Sequence, residues 1–173
     1  MDTTSPPTDA AARAVVRHLA ATLAYRSAKV LRDVPAEFGQ TSFGRTTRKP
    51  ALIVAHLADL MAWALTLVRG TSVWAADGGD DWNTEISRYF ANLEALDQEL
   101  VSNSSISNVS IEKLIQGPLA DALTHVGQLA MLRGMAGAPV RPESYARAEI
   151  VAGRVGPEQA PAGREFDGDA SVR

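Results

Sequence analysis

Residues 121–134, "DALTHVGQLAMLRG", have the apolar spacing of an amphipathic helix. At about 100° per residue, Asp121 lies only about 40° around the helix axis from His125. A carboxylate removed from water costs several kcal/mol unless it gains a partner or a proton. The pattern therefore predicts a core-facing helix in which the Asp121 carboxylate needs a partner that offsets the cost of its burial. The apolar residues within roughly 60° of His125 are Leu114, Pro118, Ala122, Leu129, Leu132 and Ala136.

Helical spacing recurs in three other stretches, separated by loops rich in Gly, Thr and Asp. The first stretch ends before Pro35. The second begins at Pro50 and stops before Gly70, because proline suits the first turn of a helix and glycine commonly follows the last. In the last stretch Pro118 should kink or restart the helix. The predicted helices cover residues 8–34, 50–69, 82–103 and a final run from near Ser110 to "GMAGAP" at 134–139.

These helices predict an all-α protein, and a four-helix bundle is the most economical fold. The sequence lacks sustained period-two alternation and repeats of 20–50 residues. We expect the bundle to occupy residues 1–140. Residues 141–173 are rich in Pro, Gly and charge and predict an irregular C-terminal extension, packed on the bundle or partly mobile, with a short helix near 143–150.

Composition narrows the possible functions. The chain has 173 residues, a net charge of −3 and a pI near 5.6, so we expect no nucleic-acid partner. It has no cysteine, which excludes disulfides and a cysteine nucleophile and leaves nitrogen and oxygen as metal ligands. The N-terminal residues lack a basic region followed by an apolar core, and no run of about 18 apolar residues occurs. We therefore expect a cytoplasmic protein without a membrane partner.

The three histidines differ in their surroundings. His18 lies opposite the apolar stripe of its helix and is expected to be solvated. His56 lies on a very apolar helix and is expected to be partly buried, where a carbonyl or hydroxyl could satisfy it. Asp121 and His125 are spaced i, i+4, so they share one helical face and could simply hydrogen-bond to each other.

A metal site is the alternative interpretation of the same residues. Two imidazoles and a carboxylate from facing helices form a suitable set of ligands for a divalent ion with open positions. His56, Asp121 and His125 are therefore the candidate ligands, for zinc, nickel, iron or manganese.

Other polar and aromatic residues give weaker indications. The sequence contains no phosphate-binding loop, calcium loop or Gly-x-Ser-x-Gly elbow. Glu94 and Asp97 could reach the interior of the bundle, although such residues are usually solvated. The basic loop residues Arg45, Arg48 and Lys49 could bind an anionic substrate near a metal or be solvated. The tryptophans Trp63, Trp74 and Trp82 suit packing better than a binding cage.

Two segments resemble the DinB/YfiT-like superfamily of four-helix-bundle metalloproteins: "AHLADLMAWALTLVRG" in the second helix and "LTHVGQLAMLRGMAGAPV" in the last. The second-helix pattern of the family, with His as a metal ligand, is matched by His56, Leu57, Asp59, Trp63 and Gly70. In the last helix the family commonly has His-x-x-x-His followed by Arg-Gly-Gln and a Leu-Arg pair. That run is matched by His125, Gly127, Gln128, Leu132 and Arg133, with Val126 in place of the arginine.

The chain departs from the family pattern at Asp121, where the first His of the pair is expected. The resemblance thus implies a site of two His and one Asp, with one unit less positive charge. It also implies a metal-dependent enzyme with a small-molecule substrate, either a transferase or isomerase using a low-molecular-weight thiol, or a hydrolase. We expect Arg48, Trp63 and Gln128 to shape the open side of the site. The alternative is a noncatalytic bundle with a structural metal or buried polar network that acts through a protein interface, and a homodimer fits either hypothesis.

Overall fold

The computed structural model describes residues 9–102 and 109–166, and within these ranges the protein is all-helical, without β-strands. The expected all-α class is therefore confirmed. The long helices are α1 (Asp9–Leu31), α2 (Pro50–Val68) and α3 (Trp82–Ser102). A fourth helical run comprises the short α4 (Ile111–Leu114), a wide turn (Ile115–Leu119) and α5 (Ala120–Met135).

Capping and backbone chemistry fix most helix ends where the sequence predicts them. Pro50 occupies the first turn of α2, and the side chain of Ser110 accepts a hydrogen bond from the Lys113 amide at the start of α4. Gly70 and Gly137 have φ of +87° and +75° and end α2 and α5 in the left-handed conformation. The predicted restart at Pro118 is confirmed, because the backbone leaves the helical region at Gly117 with ψ of −108°.

The first helix is shorter than the predicted 8–34. It ends at Leu31, and Asp33 has a left-handed φ of +53°. Val34 precedes Pro35, which disfavours a helical backbone at that position, and a distant side chain caps the end, because Arg133 of α5 donates hydrogen bonds to the carbonyls of Val30 and Arg32. Residue 8 lies outside the described residues.

One hydrophobic core lies between the four helical segments. Helices α1 and α2 each pack against both α3 and α5. Helix α2 has the length and apolar composition of a membrane-crossing helix, but 61% of its most apolar window is buried inside the protein, as in a core helix. This packing places α2 beside α5, which brings His56 next to the face of α5 that carries His125. The largest fully buried side chains include Tyr89, Phe38, Leu57, Met61, Leu93 and Leu129.

The described part of the C-terminal extension, residues 141–166, is irregular and packs on α1. The helix expected near 143–150 is only a 3₁₀ turn, Tyr145–Arg147, because the backbone becomes extended at Ala148, with ψ of 142°. Lys29 of α1 is buried and forms ion pairs with Glu143 at 2.8 Å and Glu165 at 2.7 Å. Tyr25 also donates a hydrogen bond to Glu143.

This docking should depend on pH through Glu165. The hydrogen bond from Lys29, followed by the positive charges of Lys29 and Arg141, lowers the pKa of Glu165 below its usual value of 4.5. A carboxyl whose pKa is lower in the folded protein stabilises the fold above its unfolded pKa and loses that effect as the pH falls through its folded pKa. We expect Glu165→Gln to lower the free energy of unfolding by on the order of 1 kcal/mol at neutral pH, and by progressively less below pH 4.5.

Urea denaturation at a series of pH values checks this prediction. The difference between wild type and Glu165→Gln isolates Glu165 from the other carboxyl groups. Glu158→Gln, at an exposed glutamate of the same extension, is the control and should follow the wild type. A difference between wild type and Glu165→Gln that does not change with pH would contradict the assignment.

Candidate metal centre

The structure brings the three predicted ligands together between α2 and α5. Asp121 Oδ2 lies 3.4 Å from His56 Nε2, and Asp121 Oδ1 lies 3.5 Å from His125 Nε2. The two imidazole rings are edge to face, with centroids 4.7 Å apart. One ligand atom from each residue lies within 4.8 Å of the others, so the group could hold a metal ion.

These separations suit a small divalent ion. Two ligand atoms bound at about 2.0–2.1 Å to a tetrahedral ion lie ~3.3 Å apart. The two His–Asp distances are already close to that value, so modest side-chain movement would complete the contacts. Three protein ligands leave at least one position open, as in catalytic rather than structural zinc sites.

Gln128 orients one of the imidazoles. Its Oε1 lies 2.8 Å from His125 Nδ1. A carbonyl oxygen only accepts, so Nδ1 is the donor in this contact and Nε2 is the nitrogen that faces Asp121. A ring nitrogen and a carboxylate oxygen that face each other share a proton or a cation between them. A hydrogen bond to the second ring nitrogen is also the usual means of orienting a metal-binding histidine.

The surroundings of His56 keep it neutral. Partial burial lowers the pKa of His56 below its usual value of 6.5, and the neighbouring His125 and Arg48 act in the same direction, whereas Asp121 acts to raise it. A neutral imidazole has a lone pair free for a metal, which binding requires. The indole ring of Trp74 packs edge-on against His56, with ring centroids 5.7 Å apart.

The expectation that Asp121 lies in the dry core is wrong. Its side chain is 47% exposed, whereas those of His56 and His125 are 22% and 12% exposed. The apolar stripe itself is confirmed, since Leu114, Pro118, Ala122, Leu129 and Leu132 are buried. Because α5 starts anew after Gly117, Asp121 falls in the first turn of α5, at the solvent-facing rim of the stripe. Its carboxylate therefore remains partly hydrated and depends less on a partner than the periodicity predicts.

Two clefts adjoin the cluster. The first, of about 440 Å³, is lined by His56 and His125. Arg48 and Gln128, which were predicted to shape the open side of the site, line it as well. The second, of about 410 Å³, is lined by Asp121 and by Trp63, the third residue predicted for the open side. The cluster is therefore accessible from outside, and Arg48, Trp63 and Gln128 all border it or its clefts.

The weaker candidates have other roles. His18 and Glu94 are exposed, as expected. Asp97 does reach the interior, but Arg17 of α1 neutralises it at 2.8 Å. Trp82 packs against Phe38, with ring centroids 5.5 Å apart. Lys49 donates a hydrogen bond to Gln40.

Sequence reasoning missed Trp74 as a part of the site. It lies in the loop between α2 and α3 and is 48% exposed, yet its ring contacts both His56 and Trp63. A tryptophan in a loop rich in Gly and Asp contributes little to the core, so its presence there could have indicated a role in the site. Thr46, Thr47 and Met131, which line the first cleft, were also missed.

Comparison with family models, curated proteins and solved structures finds no match for this chain. Its function must therefore be inferred from the His56–Asp121–His125 cluster and the clefts beside it.

Proposed function

We propose that this protein is a divalent-metal-dependent enzyme with the four-helix-bundle architecture of the DinB/YfiT-like superfamily. Its ligands would be His56, Asp121 and His125. The observation that carries the proposal is the convergence of two imidazoles and a carboxylate from facing helices at the edge of an open cleft. A purely structural site would be closed and saturated.

The proposed reaction is a thiol-dependent transfer or isomerisation, or a hydrolysis. A divalent ion bound at this site would lower the pKa of a thiol or water and so provide a nucleophile at neutral pH. Because the chain has no cysteine, the thiol would come from a small-molecule cofactor. The hydrogen bond of Gln128 to Nδ1 leaves Nε2 of His125 as the metal-binding nitrogen, and the ring of Trp74 packs against His56.

A noncatalytic role is the second hypothesis. The direct approach of Asp121 to both imidazoles favours it, since a shared proton could satisfy the cluster without a metal. In that case the cluster would only join α2 to α5, and the function would lie in a protein interface. Metal content separates the two hypotheses.

We expect the purified protein to contain, or to take up, about one first-row divalent ion per chain, measured by elemental analysis after incubation with zinc, nickel, iron(II) or manganese and desalting. His125→Ala and Asp121→Ala should each lose most of that metal, because each removes one of three ligands. Asp121→His should retain it, because it replaces one ligand by another. His18→Ala, at an exposed histidine far from the cluster in sequence, is the matched control.

Two results would refute the metal site. The first is a wild-type protein that remains empty with all four metals. The second is a His125→Ala variant that binds as much metal as the His18→Ala control. Either would leave the polar network as the role of the cluster. With the metal established, electrophilic substrates would be screened with low-molecular-weight thiols as cosubstrates.

A further inference from the structure

The cleft of about 440 Å³ beside the cluster carries an unpaired positive charge. Arg48 lines it, and within the described residues no hydrogen bond or ion pair engages the Arg48 guanidinium. By contrast, Arg17, Arg69 and Arg88 each have a carboxylate partner. No aspartate or glutamate is among the described residues that line this cleft.

Further hydrogen-bond donors lie on the same walls. The Oε1 atom of Gln128 accepts from His125, so the NH₂ group of Gln128 is the part left for a ligand. Thr46 and Thr47, whose side chains carry hydroxyl groups, also line the cleft. Two elements therefore contribute donors to one cavity: α5 and the loop that precedes α2.

The remaining walls are apolar. Ile53, Met131 and Leu132 also line the cleft. Met131 is 61% exposed although it is a large apolar residue. An apolar surface with a few convergent polar groups is typical of small-molecule sites, and the volume lies in their usual range of about 300–1,000 Å³.

We propose that this cleft binds a small organic acid with an apolar body, through a charge-assisted pair between its carboxylate and Arg48. A single guanidinium matches the single charge and the planar, two-oxygen shape of a carboxylate. Gln128 and the threonine hydroxyls complete the hydrogen bonding, and Met131 and Ile53 contact the apolar body. As a statement about the substrate class, this inference rests on the proposed metal-dependent function, but the binding itself does not require the metal.

Isothermal titration calorimetry with two acids and their amides tests the proposal. The ligands are phenylacetate and hexanoate, each compared with its uncharged amide, and the protein is studied both metal-free and zinc-loaded. We expect each acid to bind about tenfold more tightly than its amide, because a guanidinium forms a charge-assisted hydrogen bond with a carboxylate but only an ordinary one with an amide. Arg48→Met should abolish that preference in both protein forms. Arg45→Met, in the same loop but outside the cleft lining, should retain it.

Several outcomes would overturn the proposal. These are binding of neither acid, equal binding of acid and amide, acid binding that Arg48→Met leaves unchanged, and acid binding that occurs only with zinc and does not depend on Arg48. Inorganic phosphate that binds more tightly than both acids, and depends on Arg48, would overturn the carboxylate as the ligand class.

Zinc content measured on the same samples separates this proposal from the proposed function. If the protein binds no zinc but Arg48 still selects acids over amides, the metal-dependent function fails and the carboxylate site stands. If zinc binds stoichiometrically and the acids show no dependence on Arg48, the carboxylate site fails and the metal centre stands.

Discussion

Replacement of Arg133 by methionine is expected to lower the free energy of unfolding by about 3 kcal/mol, among the larger effects of a single substitution. The Arg133 residue is only 6% exposed, and its guanidinium donates to the carbonyls of Val30 at 3.0 Å and Arg32 at 2.8 Å. Its Nε donates to Ala138 at 2.9 Å, beyond the end of α5. The last carbonyls of a helix have no partner within that helix, so Arg133 supplies one for α1.

Methionine keeps much of the length and volume of the arginine side chain but donates no hydrogen bonds. The variant therefore leaves the buried carbonyl of Val30 and the part-buried carbonyls of Arg32 and Ala138 without this partner, which is the cause of the expected loss. Urea denaturation monitored by circular dichroism measures it. Arg69→Met is the control, because Arg69 is 55% exposed and its pair with Glu99 should contribute less than about 1 kcal/mol. A loss no larger than that of Arg69→Met would show that Arg133 does not join α1 to α5.

The role of Arg133 shows why some contacts could not be predicted. The resemblance includes Arg133 in a matched motif, but its partners are backbone carbonyls about a hundred positions earlier in the chain. No side-chain pattern identifies such carbonyls, since every residue has one. The capping of α1 at its end near Leu31 was missed for the same reason.

The helix ends at Pro50, Gly70, Ser110 and Pro118 were predictable because local chemistry fixes them. Proline restricts its own backbone, glycine adopts positive φ without strain, and serine caps an amide within its own turn. These signals lie within a few residues of the structure that they determine. They are therefore visible in the sequence without knowledge of the packing.

The candidate site was predictable in part. The i, i+4 spacing places Asp121 and His125 on one face, and His56 is one of the few polar residues on a largely apolar helix. The exposure of Asp121 was not predictable, because it depends on the direction in which the chain leaves the break at Gly117. The position of Trp74 was not predictable either, because it depends on how the loop between α2 and α3 is held.

That loop is held by an arginine with two buried acidic partners. Arg88 of α3 donates to Asp59 and to Glu85, both at 2.7 Å, and to the carbonyl of Ala55 at 2.9 Å. The second oxygen of Glu85 accepts from the amide of Gly79 in the loop, also at 2.7 Å. Ala55 and Asp59 flank His56 on α2, so one network fixes α2, α3 and the loop that carries Trp74.

Arg88→Met is expected to lower the free energy of unfolding by about 3–5 kcal/mol, because it leaves two buried carboxylates without a cation. Asp59 and Glu85 are only 5% and 3% exposed, so water cannot replace the guanidinium. Arg154→Met is the control, since Arg154 pairs with the largely exposed Glu149 and should contribute less than about 1 kcal/mol. Urea denaturation of both variants gives the comparison.

Neutralising the acids identifies the cause of that loss. The triple variant Arg88→Met with Asp59→Asn and Glu85→Gln removes the cation and both negative charges, and the two amides keep nearly the shape of the acids they replace. If uncompensated charge causes the instability, this variant should recover about half of the loss or more, because a removed ion pair costs much less than a broken one. If lost packing or the lost bond to Ala55 is the cause, the triple variant should be no more stable than Arg88→Met. Arg88 would then stabilise the loop by contact rather than by charge.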